Sequence, residues 1–95
     1  MSDMKFEGQV ALVTGATRGI GAAIALELAK NGLKVIGTAT SEEGAAKISQ
    51  ALAAFPGCAG KNLNVTDGAA AEALIDSIVK EHGGLHVLVN NAGIT

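Results

Sequence analysis

Tryptophan and tyrosine are absent from this 95-residue chain, and phenylalanine occurs only at Phe6 and Phe55. Apolar residues still make up 48% of it, so the apolar content is Ala, Val, Ile and Leu. That composition suits a parallel sheet covered by close-packed helices. Cysteine occurs once, at Cys58, which excludes an internal disulfide and a cysteine metal cluster. Neither sign of charge dominates: the net charge is -2, and the charges are scattered. This excludes the electrostatic footprint of a protein that binds nucleic acid or an anionic membrane. No apolar run reaches membrane-spanning length. The start, Met1-Ser2-Asp3-Met4-Lys5, has no apolar signal-peptide core behind it. The expectation is a soluble cytoplasmic protein of at most one small domain, with a modest core.

What is present alternates. Val10 to Thr14 reads as a first strand, apolar on both faces, and Arg18 to Asn31 as a helix with Ile20, Ile24 and Leu28 on one face. Asn31-Gly32 stops that helix. Lys34 to Thr38 is a second strand. Ser41 is the N-cap of a second helix, with Glu42 and Glu43 in the first turn where the helix dipole favours acids. Ala45, Ile48, Leu52 and Phe55 recur at helical spacing, and Pro56-Gly57 ends the run. Lys61 to Val65 is a third, more polar strand suited to a sheet edge. Asp67 caps a third helix, whose buried stripe is Ala71, Leu74, Ile75 and Ile78 and whose wet side is Glu72, Asp76 and Lys80. Gly83-Gly84 stops it, and Leu85 to Val89 is a fourth strand, apolar apart from His86. There is no internal repeat, low-complexity tract or linker.

Strands alternating with helices imply parallel pairing through crossovers. The expected strand order is 3-2-1-4, with the first two helices on one face and the third on the other. Strands 1 and 4 then flank the topological switch point, beyond whose carboxyl ends α/β proteins bind ligands. Two conspicuous loops fall there, Gly15 to Gly21 and Asn90 to Gly93.

The first loop carries the chemistry. In Thr14-Gly15-Ala16-Thr17-Arg18-Gly19-Ile20-Gly21, a strand, a glycine-rich turn and a helix N-terminus follow one another, which makes a cradle for a dinucleotide pyrophosphate. The glycines fall at 15, 19 and 21, not in the common G-x-G-x-x-G spacing, yet each has a physical task. Gly15 turns the chain sharply out of the strand. Gly19 removes a Cβ where backbone must approach phosphate. Gly21 lets the helix pack close to the sheet.

Thr14-Gly15-x-x-x-Gly19-x-Gly21, followed by Asn90-Asn91-Ala92-Gly93, resembles the short-chain dehydrogenase/reductases. Four further segments look like the bacterial 3-oxoacyl-[acyl-carrier-protein] reductases of that family: Phe6-Glu7-Gly8, Gly37-Thr38-Ala39-Thr40-Ser41-Glu42, Asn64-Val65-Thr66-Asp67 and Val89 through Thr95. The resemblance covers essentially the whole chain. It implies an α/β fold, a partial Rossmann-like doubly wound parallel sheet. Gly15, Ala16, Thr17, Arg18, Gly19, Ile20 and Gly21 would wrap the pyrophosphate and adenosine ribose. Asn64 and Val65 would lie along the adenine, and Asn91, Ala92 and Gly93 would approach the nicotinamide-side ribose. It also implies a substrate bound to acyl carrier protein and a homo-oligomer for the intact family member.

The chain departs from the family in two places. His86 stands where members often carry Asp. The family's proton donor is a Tyr, with a Lys four residues on and a Ser upstream. This chain has no Tyr, and its serines (Ser2, Ser41, Ser49, Ser77) all lie within the cofactor-half pattern. The expectation is an amino-terminal NADP-binding half-domain over residues 1–95, without the carboxyl-terminal catalytic half and without catalytic residues of its own.

Individual residues carry competing readings. Arg18 is either a solvated cation or a phosphate ligand. The helix dipole disfavours a cation at that end, and a bound phosphate would relieve the conflict. Thr40 either merely precedes the Ser41 cap or bonds a 2'-phosphate. An NAD site usually has an acid at the end of the second strand, for both ribose hydroxyls. Here Gly37-Thr38-Ala39-Thr40 offers none before Glu42, which favours NADP(H). Asn90-Asn91 would also serve as a plain turn. A helix stop separates His82 from His86, which makes them structural or surface residues rather than metal ligands. Cys58 is a small apolar filler beside a turn.

Overall fold

The computed structural model describes residues 8–16, 19–55, 57–63 and 67–89. Four strands and three helices alternate along it: β1 (Val10–Val13), α1 (Gly19–Lys30), β2 (Lys34–Ala39), α2 (Glu42–Ala51), β3 (Ala59–Asn62), α3 (Gly68–His82) and β4 (Val87–Val89). All pairings are parallel and the sheet order is β3-β2-β1-β4, as the crossover argument predicts. In register, Val13 lies beside Gly37 on β2 and Val89 on β4. The carboxyl ends of these three strands therefore meet at one level.

Two apolar layers sandwich the sheet. On one face Ala11, Val13, Val35 and Ala39 pack against Ala25 and Ala29 of α1 and Ile48 of α2, with Leu52 just beyond it. On the other, Val10, Leu12 and Ile36 pack against Ile78 of α3, flanked by Leu74 and Ile75. Alternate residues of β1 thus serve opposite layers, which is what a strand buried on both sides requires.

The buried edge of α1 is Gly21, Ala25 and Ala29, one residue out of phase with the Ile20, Ile24, Leu28 stripe expected from the sequence. Ile24 and Leu28 flank the core half-buried, whereas Ile20 is 70% exposed. The smallest side chains take the line of closest approach, so the helix backbone sits near the sheet and the larger aliphatics splay to its sides.

The caps form as expected. Ser41 Oγ accepts from the Gly44 N–H at 3.0 Å, and Asp67 Oδ1 accepts from the Ala70 N–H at 3.1 Å. Each satisfies a backbone donor that a helix start leaves without an intrahelical partner. Gly83 ends α3 in the left-handed conformation, with φ 84, which glycine adopts without a Cβ penalty.

Three elements have bounds that differ from expectation by two residues or more. α2 ends at Ala51, with Leu52 as its C-cap, and turns carry the chain on towards Phe55. β3 starts two residues early, because Gly60 belongs to it. A Cβ there would clash with the Ala45 carbonyl oxygen and lie 2.8 Å from Ile48 Cβ, so α2 crosses the edge strand where there is no side chain. β4 is confined to Val87–Val89. His86 still extends the β1–β4 pairing, by donating its N–H to the Val10 oxygen (2.9 Å) and accepting the Val10 N–H on Nδ1 (3.0 Å).

Cys58 does more than fill space. Its Sγ accepts the Val35 N–H at 3.2 Å, and burial pushes its thiol pKa up, a shift that this hydrogen bond only partly offsets. Among the described residues no helix is long and apolar enough to cross a membrane.

Candidate nucleotide-binding loop at the carboxyl ends of the strands

The chain leaves β1 at Thr14, and strands on both sides hold that exit. The Thr14 N–H donates to the Val89 oxygen at 3.0 Å, and its hydroxyl reaches the same oxygen at 3.4 Å. This ties the ends of β1 and β4. On the β2 side, the Gly15 N–H donates to Thr38 Oγ1 (3.3 Å) and the Ala16 N–H to the Thr38 carbonyl (2.9 Å).

Gly15 has φ 64, so the sharp turn expected of it is a left-handed residue that a Cβ would disfavour. Ala16 is buried. Its methyl fits because Gly37 has none: a Cβ on Gly37 would lie 2.9 Å from Ala16 Cβ and 2.8 Å from Ile48 Cγ2. The start of the loop is thus seated in the sheet.

α1 begins differently. Gly19 has φ +65, and a Cβ built on it would meet no atom of the described residues within 4 Å. Its demand for glycine is conformational, and the space in front of its backbone is open. Ile20 is exposed beside it, while Gly21 is buried. The first turn of α1 holds no acid, in contrast to α2 with Glu42 and Glu43. The positive end of its dipole is therefore not offset from within that turn.

Between β2 and α2, Thr40 is exposed. The buried Thr38 hydroxyl accepts from Gly15. Of the two threonines the sequence offers here, only Thr40 is exposed. The nearest acid along the chain, Glu42, accepts a hydrogen bond from Asn62 Nδ2 at 3.1 Å. The structure thus brings Gly15, Ala16, Gly19, Ile20, Gly21 and Thr40 to one end of the sheet. Thr17, Arg18, Asn64, Val65, Asn91, Ala92 and Gly93 lie outside the described residues. A gap of about 160 Å³ between α1 and α2 has an aliphatic lining apart from Lys47, so it offers little to anchor a phosphate.

The site residue that sequence reasoning missed is Thr38. Its signal was present, a hydroxyl in the otherwise apolar run from Val35 to Ala39, but its partner is a loop amide 23 residues away. No local pattern reports such a pairing.

A parallel sheet with helices on both faces and a glycine turn at its switch point defines a Rossmann-like doubly wound domain, here in part. The chain belongs to the short-chain dehydrogenase family, whose model it matches over residues 9–95. It is 57% identical over 94 residues to 3-oxoacyl-[acyl-carrier-protein] reductase FabG of Escherichia coli K12. It is 58% identical to the protein of that name from Salmonella typhimurium and 51% identical to that of Pseudomonas aeruginosa. Each alignment covers 97% of this chain but only 37–38% of the relative.

Proposed function

We propose that residues 1–95 form the NADP(H)-binding half-domain of a reductase that converts 3-oxoacyl groups on acyl carrier protein to 3-hydroxyacyl groups in fatty acid biosynthesis. The observation that carries this reading is the open, left-handed Gly19 backbone at the acid-free start of α1, on a chain more than half identical to reductases of that name. The residues present fit such a cofactor. Gly19 leaves room for a phosphate to approach its backbone. The exposed Thr40 hydroxyl and Arg18 suit a 2'-phosphate. No acid lies between the start of β2 at Lys34 and Glu42 to repel it, and Glu42 already has a partner in Asn62.

When bound, NADPH supplies the hydride. This chain binds and orients it: Gly15 to Gly21 hold the pyrophosphate and adenosine ribose, Asn64 and Val65 line the adenine, and Asn91 to Gly93 approach the nicotinamide side. Proton donation at the reacting oxygen needs a positioned acid. With no Tyr in the sequence, these 95 residues taken alone bind nucleotide without reducing substrate. The intact protein is proposed to act in the cytoplasm as a homo-oligomer.

The test is NADPH oxidation with an acetoacetyl thioester. The intact protein should turn over and the 95-residue chain should not. Turnover by the chain alone, with longer species excluded by mass, overturns the division of labour. Failure of the intact protein on every 3-oxoacyl thioester, with retained activity on another carbonyl, overturns the substrate class.

A further inference from the structure

We propose that Thr38 is a positioning residue for the nucleotide loop, which it holds from the second strand without touching nucleotide; the inference rests on the reading of Gly15 to Gly21 as that loop. One residue takes two successive loop amides. Gly15 donates to its hydroxyl at 3.3 Å and Ala16 to its carbonyl at 2.9 Å. In a parallel ladder, alternate residues of a strand donate to a given neighbour, so consecutive donors mark the point where the chain breaks from the sheet. The Thr38 side chain thus substitutes for a ladder acceptor at that break.

Burial assigns the role. Thr38 is 1% exposed, so its hydroxyl is not presented to a ligand in solvent. Gly37 completes the seat: the missing Cβ leaves room for Ala16 between β2 and Ile48. The Gly15 and Ala16 amides therefore face the sheet. Anion contact then falls to the Gly19 and Ile20 amides at the start of α1. The end of β2 fixes where that second half of the loop begins.

The test compares Thr38→Val, which keeps the branched shape and loses the acceptor, with Thr38→Ser, which keeps the acceptor, both in the intact protein. The first readout needs no ligand. Amide hydrogen exchange at Gly15 and Ala16 should quicken about tenfold in Thr38→Val relative to the β1 amides, and should return towards the parent value in Thr38→Ser. Unchanged exchange in Thr38→Val overturns the proposal, whatever the protein binds.

The second readout is affinity for ADP, which carries a pyrophosphate, and for 2',5'-ADP, which carries a 2'-phosphate. A displaced loop weakens ADP at least as much as 2',5'-ADP, by about five- to tenfold, and raises the KM for NADPH more than it lowers kcat. A loss confined to 2',5'-ADP would make Thr38 a direct phosphate ligand and overturn the positioning role. If the parent protein binds neither nucleotide, the reading of the site fails, and the exchange result still decides whether Thr38 sets the loop.

Discussion

Gly19→Ala isolates the part of the site the structure describes most sharply. The substitution adds one methyl group to a residue with φ +65, where that methyl would meet no atom of the described residues within 4 Å. Its cost to the fold is therefore conformational, about 1–2 kcal/mol for an L-residue held in the left-handed region, with no packing penalty. Gly83 provides a matched control. It has φ +84, an added Cβ there also meets nothing, and it ends α3 at the opposite end of the sheet from the loop. Gly83→Ala and Gly19→Ala should lower the urea-unfolding free energy of the intact protein by similar amounts. Only Gly19→Ala should lose NADPH affinity, by more than tenfold, because the open space its methyl enters is the space proposed for phosphate. Gly19→Val adds a branched side chain and should abolish binding. Circular dichroism reports the fold and fluorescence titration the affinity. A folded Gly19→Ala protein that binds NADPH like the parent would refute the assignment of Gly19 to the site.

Four further outcomes follow from named contacts. Arg18→Ala should weaken 2',5'-ADP by about 1.5–3 kcal/mol through loss of a charge-assisted bond and leave 5'-AMP nearly unchanged; calorimetric titration of both at fixed salt checks this. His86→Ala removes the acceptor of the Val10 N–H and should cost about 1–3 kcal/mol in unfolding free energy, with His86→Asp, which restores an acceptor, recovering part of it. Burial raises the Cys58 thiol above its ordinary range, so the folded state holds that proton more tightly than the unfolded chain. Its contribution is fully present at neutral pH and is lost as pH rises through the folded-state value, and alkylation by iodoacetamide at pH 8 should run several-fold slower in native than in denatured protein. The 95-residue chain on its own should self-associate, because β4 is an open edge and Leu88 is 57% exposed; sedimentation should show Leu88→Lys shifting it towards monomer.

Much of this architecture was legible because its causes are local. Ser41 and Asp67 cap helices through bonds three residues long, and Gly83 ends α3 because the chain must turn left-handed there. The strand order followed from the alternation of elements and the place of the two loops. What was not legible depends on contacts distant in sequence. The buried edge of α1 was misplaced by one residue because aliphatic size was weighed above closeness of approach. The sequence pattern starts the third strand at Lys61, yet Ala59 and Gly60 already belong to β3, where α2 passes over Gly60. Val10, Leu12 and Ile36 are buried beneath α3, and the large aliphatics exposed among the described residues are Ile20 and Leu26 on α1, Val79 on α3 and Leu88 on β4.

The central claim is that this half-domain selects a 2'-phosphorylated dinucleotide. Titration of the intact protein with NADPH and with NADH, at one salt concentration and pH, tests it most directly. The account predicts that NADPH binds at least tenfold more tightly, which is about 1.4 kcal/mol, and that the gap narrows in Arg18→Ala and Thr40→Val. Equal affinities, or tighter binding of NADH, would contradict it.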